Sequence, residues 1–296
     1  MSARAPQARR ALALVLVASA CGSRGDDEGE RRVAAAAVAE CAISFQRRGV
    51  EVERLSCAAM EAKVAAQPVR VRDPYEGRDV VFEGLPAEAL LDAVYGPAWR
   101  GEGEVLFTCR DLYRPSVPVR RFLEHRAFLA LRRPERAAFT LDKPQAGEIK
   151  AVGLAPVYVV WENLEDAEIA AQGDYGWPYQ VITIDLGDFA ERFPRMTPDP
   201  DAGAEVMAGF QSFRHHCMPC HAINGDGGTL GPELNFPVSV TEYFDEGWLR
   251  RWIDDPASVR HRSRMPRPTL RERDRAAIID DLIAYLRAMA QKKQAP

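Results

Sequence analysis

The chain has 296 residues, of which 47% are hydrophobic and 28% charged, enough apolar material for one large globular domain or two ordinary ones. Its formal net charge of −4 supplies no basic field and argues against nucleic acid as a partner. No apolar run reaches the about 18 residues that a membrane-spanning helix needs.

Residues 1–32 read as an export signal followed by a tether. Arg4, Arg9 and Arg10 form a positive region, Ala11 to Val17 a short apolar core, and Ala18-Ser19-Ala20-Cys21 a run of small residues of the kind found at a signal cleavage site. With Cys21 next, the segment resembles a bacterial lipoprotein signal, which implies that Cys21 carries the lipid. An ordinary signal peptide with Cys21 incidental is the alternative, and Arg9-Arg10 also fits a twin-arginine signal. Gly22 to Arg32 is charged and contains Gly, as a flexible tether should.

Residues 33–196 form a mixed middle zone. It opens with an Ala-rich stretch, Val33 to about Phe45, that reads as helix. Val80 to Phe82, Glu104 to Cys109, Ala127 to Leu131, Val157 to Trp161 and Val181 to Leu186 read as strands, and Ala87 to Val94 as a helix. Asp111 to Val119 reads as a loop containing Pro and Arg. Cys41 and Cys57 are either a disulfide or two buried thiols. Trp161-Glu162-Asn163 and Gly176-Trp177-Pro178-Tyr179 supply aromatics for an interface or for the core.

Thr197-Pro198-Asp199-Pro200-Asp201 is a Pro/Asp-rich linker. Beyond it the pattern is helical. Val206, Phe210 and Phe213 recur at helical spacing. A shorter helix is expected over Trp248 to Asp254, stopped near Pro256. Ile278, Ile279, Leu282, Ile283, Leu286 and Met289 mark one face of a strong amphipathic helix. The expected fold is therefore multidomain, an α+β or mostly β middle domain followed by an all-α domain over residues 202–291.

That last zone contains Cys217-Met218-Pro219-Cys220-His221. Two thiols three positions apart match the two vinyl groups of a haem, and the adjacent His reaches the iron from the proximal side. One covalent haem c is expected, with Cys217, Cys220 and His221 as its binding residues. The rival readings are a zinc site, for which the zone offers no further Cys, and a redox dithiol, which does not need the His.

Residues from about Ala202 to Gln291 resemble class I cytochromes c. Gly209, Phe213 and Cys217 stand at the spacing of that family's first helix, and Tyr285 and Leu286 lie on what looks like its partner helix. The resemblance implies that these helices cross closely at Gly209 and that Gly231-Pro232 packs against the proximal His. It also implies that Met265, followed by Pro266, is the distal iron ligand; His261 is the rival. Met289 fits core packing, Met218 cannot reach across the ring, and His215 and His216 read as surface residues.

In the middle zone, VVFEGLPAEALLDAV and LFTCRDLYRPSVPV resemble parts of the molybdopterin-binding domain of sulfite-oxidase-like enzymes. The resemblance implies Cys109 as a molybdenum ligand; a buried strand thiol is the other reading. A degenerate domain without cofactor, used to dock a redox partner, accounts for the zone in the second case. Together these readings predict a lipid-anchored electron carrier on the periplasmic side of a bacterial membrane, with one or more redox proteins as partners. The alternatives are an oxidoreductase, or a subunit of one, with a molybdenum or other centre in the middle domain, and a haem sensor or peroxidase with an open sixth position.

Overall fold

A computed structural model describes residues 41–145, 148–270 and 274–296. The signal, the tether and the lipidation candidate Cys21 lie outside the described residues. Among the described residues no helix is long and apolar enough to cross a membrane.

The strands and helices of the first half are β1 (Ala42–Arg47), β2 (Val50–Ser56), α1 (Cys57–Lys63), β3 (Gln67–Arg72), β4 (Asp79–Pro86), α2 (Ala87–Tyr95), β5 (Glu104–Cys109), β6 (Ser116–Pro118), α3 (Val119–Glu124), β7 (Ala127–Arg132), β8 (Thr140–Gln145) and β9 (Glu148–Gly153). Then come β10 (Tyr158–Trp161), α4 (Ala167–Ala171), β11 (Val181–Gly187), α5 (Phe189–Arg192) and α6 (Ala204–His216). The last are β12 (Ala222–Ile223), β13 (Asp226–Gly227), α7 (Val240–Tyr243), α8 (Glu246–Asp254), α9 (Pro256–Val259) and α10 (Arg275–Ala290).

A five-stranded sheet runs β2-β1-β11-β5-β6 and a four-stranded sheet β10-β7-β4-β3. Only β1 and β11 pair parallel within them; the other neighbours are antiparallel. Between the two sheets lies the first core, which buries Phe45, Phe82, Phe107, Phe128 and Trp161 together. Trp161 and Trp177 are thus core residues. Cys41 and Cys57 form a disulfide with their Cα atoms 5.5 Å apart, stapling the start of β1 to the start of α1.

The described part of the Ala-rich opening is not helical. Ala42 to Arg47 is strand β1, with Ile43, Ser44 and Phe45 all buried between β2 and β11. Pairing on both edges outweighs the weak helical preference of the stretch. The stretch Asp111 to Val119 also holds more than a loop, since β6 and the start of α3 fall in it. The outer strands β2, β8 and β9 carry few apolar side chains on a buried face, so they lack the alternation that marks a strand in sequence.

The expected all-α C-terminal segment is overturned. Ala222–Ile223 and Asp226–Gly227 pair antiparallel directly after the Cys motif, and Ala222 bridges Glu233 in parallel. The cause is a two-residue Asn-Gly turn. Asn224 and Gly225 have φ of 55° and 83°, the left-handed pair that this dipeptide favours in hairpins. The described residues are mixed α/β on both sides of the linker. The second core likewise crosses the linker: Leu106 of β5, Phe189, Phe193 and Met196 pack with Phe210, Phe213, Leu282, Tyr285 and Met289.

Candidate functional site

The site begins where α6 crosses α10. A Cβ on Gly209 would lie 1.9 Å from the Asp281 carbonyl oxygen, so only glycine permits this approach. Phe210 and Phe213 then pack on Tyr285 at 5.5 and 5.2 Å between ring centroids. The Tyr285 hydroxyl donates to Met196 O at 2.7 Å, tying α10 to the chain before the linker. Met289 is fully buried in this core.

Cys217 caps α6, its N–H donating to Phe213 O at 2.9 Å. The chain then turns tightly, with Cys220 and His221 both donating their N–H groups to Cys217 O, at 3.0 and 2.8 Å. One turn therefore carries both thiols and the imidazole. Gly228 N–H donates to Met218 O and His221 O, and Gly231 N–H to Cys220 O at 2.7 Å. These bonds fold the following loop back under the motif.

His221 is held by its ring. Nδ1 lies 2.9 Å from Pro232 O; a carbonyl only accepts, so Nδ1 carries the hydrogen and Nε2 keeps its lone pair. Gly231 sits against the same ring, where a Cβ would fall 2.4 Å from Cε1. Below it, the Glu233 carboxylate accepts the N–H groups of Asn224, Gly225, Asn235 and Phe236 at 2.8 to 3.1 Å. Asn235 in turn donates to Asn224 Oδ1 and Met289 O, both at 2.8 Å. With Asn224 and Asn235 buried at its centre, this network ties the hairpin and the imidazole loop to α10.

Burial pushes the Cys217 thiol up to about 12. Burial first, and then the Asp111 carboxylate, push the Cys220 thiol up to about 11. Both are protonated at neutral pH, the opposite of the lowered values that make a Cys-x-x-Cys pair a redox dithiol. Among the described residues no three His, Cys, Asp or Glu side chains converge on a metal-sized site. The two thiols on one turn with an imidazole that keeps its lone pair on Nε2 and packs on a glycine have the donor set that a covalently attached haem needs.

Met265 is half-buried in the irregular segment between α9 and α10 and belongs to neither apolar core. The segment is steadied by Arg275, which donates to Pro268 O at 2.9 Å, and by the contact of Thr269 with Gly173. His261 is exposed. His215 is not a surface residue: it stacks on Tyr175 with ring centroids 4.0 Å apart. His216 is half-buried beside it.

The middle zone meets the motif directly. Arg114 N–H donates to Pro219 O, between the two cysteines, at 3.1 Å. Cys109 heads the loop that ends at Arg114. It is 1% exposed, and burial, then Asp111, raise its thiol far above the ordinary range. Glu104 of β5 pairs with Arg214 of α6 at 2.5 Å and accepts the Ser116 hydroxyl at 2.8 Å. No pattern in the sequence pointed to this seam. The Asn224-Gly225 turn that shapes the loop beneath His221 does have a local signal, the dipeptide itself. No protein-family model matches the chain, and no curated protein does.

Proposed function

We propose that this chain is a mono-haem c-type cytochrome that carries electrons outside the cytoplasm, anchored through Cys21 on the periplasmic side of a bacterial membrane. One observation carries the reading: Cys217, Cys220 and His221 share a single turn, and Pro232 holds the imidazole through Nδ1, which leaves the lone pair on Nε2. When bound, haem c supplies a one-electron iron couple. Cys217 and Cys220 would hold it as thioethers, and His221 would be the proximal ligand. Met265 would be the distal ligand, a soft thioether that favours the reduced iron. The Nδ1 hydrogen bond also raises the basicity of Nε2. With His221 and Met265 as its two protein ligands the iron would keep no open position for substrate, which suits electron transfer to a redox partner protein.

The test is a pyridine haemochrome spectrum of protein purified from a host able to mature c-type cytochromes. One haem per chain should survive denaturation and acidic acetone, and Cys217→Ala or Cys220→Ala should abolish that resistance. Protein that carries no haem under these conditions would sink the reading. A weak far-red band in the oxidised protein, lost in Met265→Ala and kept in His261→Ala, identifies the distal ligand.

The contact between Arg114 and Pro219 favours one second reading, an oxidoreductase whose haem serves a centre in the middle zone with Cys109 as ligand. Stoichiometric molybdenum in the purified protein would support it.

A further inference from the structure

We propose that one loop of the middle zone, residues 173–177, is a clamp that positions the distal ligand. It holds the Met265 segment against α6 and so keeps Met265 on the iron and the sixth position closed to outside ligands. The inference rests on the cytochrome reading above and deepens it, giving the middle zone a part in the choice of axial ligand.

The loop touches the chain on both sides of the motif. On one side it lies directly against the Met265 segment: a Cβ at Gly173 would fall 2.6 Å from the Thr269 methyl carbon and 3.7 Å from Thr269 O. Gly173 also takes a φ of 67°, which favours glycine. Thr269 is four residues beyond Met265, and four residues of extended chain span at most about 14 Å. Holding Thr269 therefore confines Met265. On the other side the Tyr175 ring stacks on His215, with centroids 4.0 Å apart and 28° between the planes. His215 stands in α6, two residues before Cys217.

The loop is held from behind by the first core. Trp177 is buried in that core. Trp161 Nε1–H donates to Gly176 O at 2.6 Å, and the Tyr75 hydroxyl donates to Trp177 O at 3.2 Å. The Tyr175 hydroxyl donates to Ser116 O at 3.0 Å. Trp177 N–H closes the turn on Asp174 O at 3.2 Å. The two contacts of the loop are thus made from one fixed support.

The Met265 segment has little to hold it by itself. Among its described residues, from Arg260 to Leu270, only Leu270 is buried. Leu270 enters the second core, and Pro268 O accepts from Arg275 at 2.9 Å. Both anchors lie at the end nearer α10. A tethered ligand competes with a free one through its effective concentration at the metal, which falls as the tether loosens. The Gly173 contact is what joins this segment to the rigid middle zone.

Imidazole titration of the oxidised holoprotein, followed in the Soret and far-red bands, tests this. Gly173→Ala drives a methyl into Thr269, and Tyr175→Leu removes the stack on His215. Each should tighten imidazole binding about tenfold or more, since apparent affinity follows the fraction of chains with an open sixth position. Each should also weaken the far-red band while one haem per chain is kept. Gly173→Ala/Thr269→Ala makes room for the added methyl and should return binding towards the wild type. Val69→Ala removes buried side chain from β3, outside the loop, and should lower the melting temperature with imidazole binding unchanged. Tightening in Val69→Ala as large as in the loop variants would show general loosening and overturn the inference. So would unchanged binding in both loop variants with full haem content. A wild type without haem would overturn the cytochrome reading, and haem without a far-red band would overturn Met265 as its ligand; this inference falls with either.

Discussion

The Pro232 carbonyl accepts the His221 Nδ1 hydrogen at 2.9 Å, while the preceding residue, Gly231, lies against the same ring with no room for a side chain. A Cβ at Gly231 would meet Cε1, Nδ1 and Nε2 at 2.4, 2.6 and 2.8 Å. Gly231→Ala must therefore turn the imidazole and break its hydrogen bond. The expected cost is about 1–3 kcal/mol, the usual range for overpacking, read by urea unfolding. If the proposed haem is attached, the same variant should shift its Soret band, whereas Gly101→Ala, with open space around its Cβ position, should leave it in place.

Gly209→Ala should be worse. The added methyl would sit 1.9 Å from Asp281 O and 2.8 Å from Tyr285 Cβ. Backbone cannot move aside as a flexible side chain can, so α6 and α10 must separate. A loss of about 3 kcal/mol or more is expected, at the upper end for overpacking. Thermal unfolding followed by circular dichroism checks it; a melting temperature equal to the wild type's would refute the close crossing.

Arg214→Ala leaves Glu104 buried without its cation. Burial raises the Glu104 carboxyl, and Arg214 is what opposes that rise. Removing one partner of a buried pair costs about 3–5 kcal/mol. Adding Glu104→Gln to Arg214→Ala should recover much of the loss, because no buried charge remains. A double variant no more stable than the single one would contradict this account. In the single variant the carboxyl rises further, so its stability should decline as pH rises through the range just above ordinary carboxylates.

His215 makes an acid-sensitive contact. Burial, followed by the neighbouring His216 and Arg214, lowers its pKa from the ordinary 6.5 to about 3. The unfolded chain therefore takes up a proton below about pH 6.5 while the folded protein does not until near pH 3. Stability from this group is complete above 6.5 and is lost as pH falls through that window. His215→Phe keeps a ring on Tyr175 and removes the proton. Its melting temperature should fall less between pH 6.5 and 4 than the wild type's. Parallel curves for the two proteins would show that His215 is not held neutral.

Much of the fold was legible wherever it depended on neighbours in sequence. β5, β7, β10 and β11 appear as apolar runs because they are buried on both faces, and α6, α8 and α10 appear through helical spacing. β1 reads as helix in the sequence because its partners β2 and β11, which decide its state, are not local. The β12–β13 hairpin carried a readable Asn-Gly signal, outweighed by the helices on either side of it.

By itself the sequence determined the turn of Cys217, Cys220 and His221, since five consecutive residues specify it, and the glycines at 209 and 231 that make room for it. Only the tertiary structure decided what stands against that turn. Arg114 lies far from Pro219 along the chain yet donates to its carbonyl, the second core draws on Leu106 and Phe189, and Glu104 and Arg214 satisfy each other across the seam. Contacts of that range arise when separate elements bury surface together, and no periodicity or spacing in the chain records them.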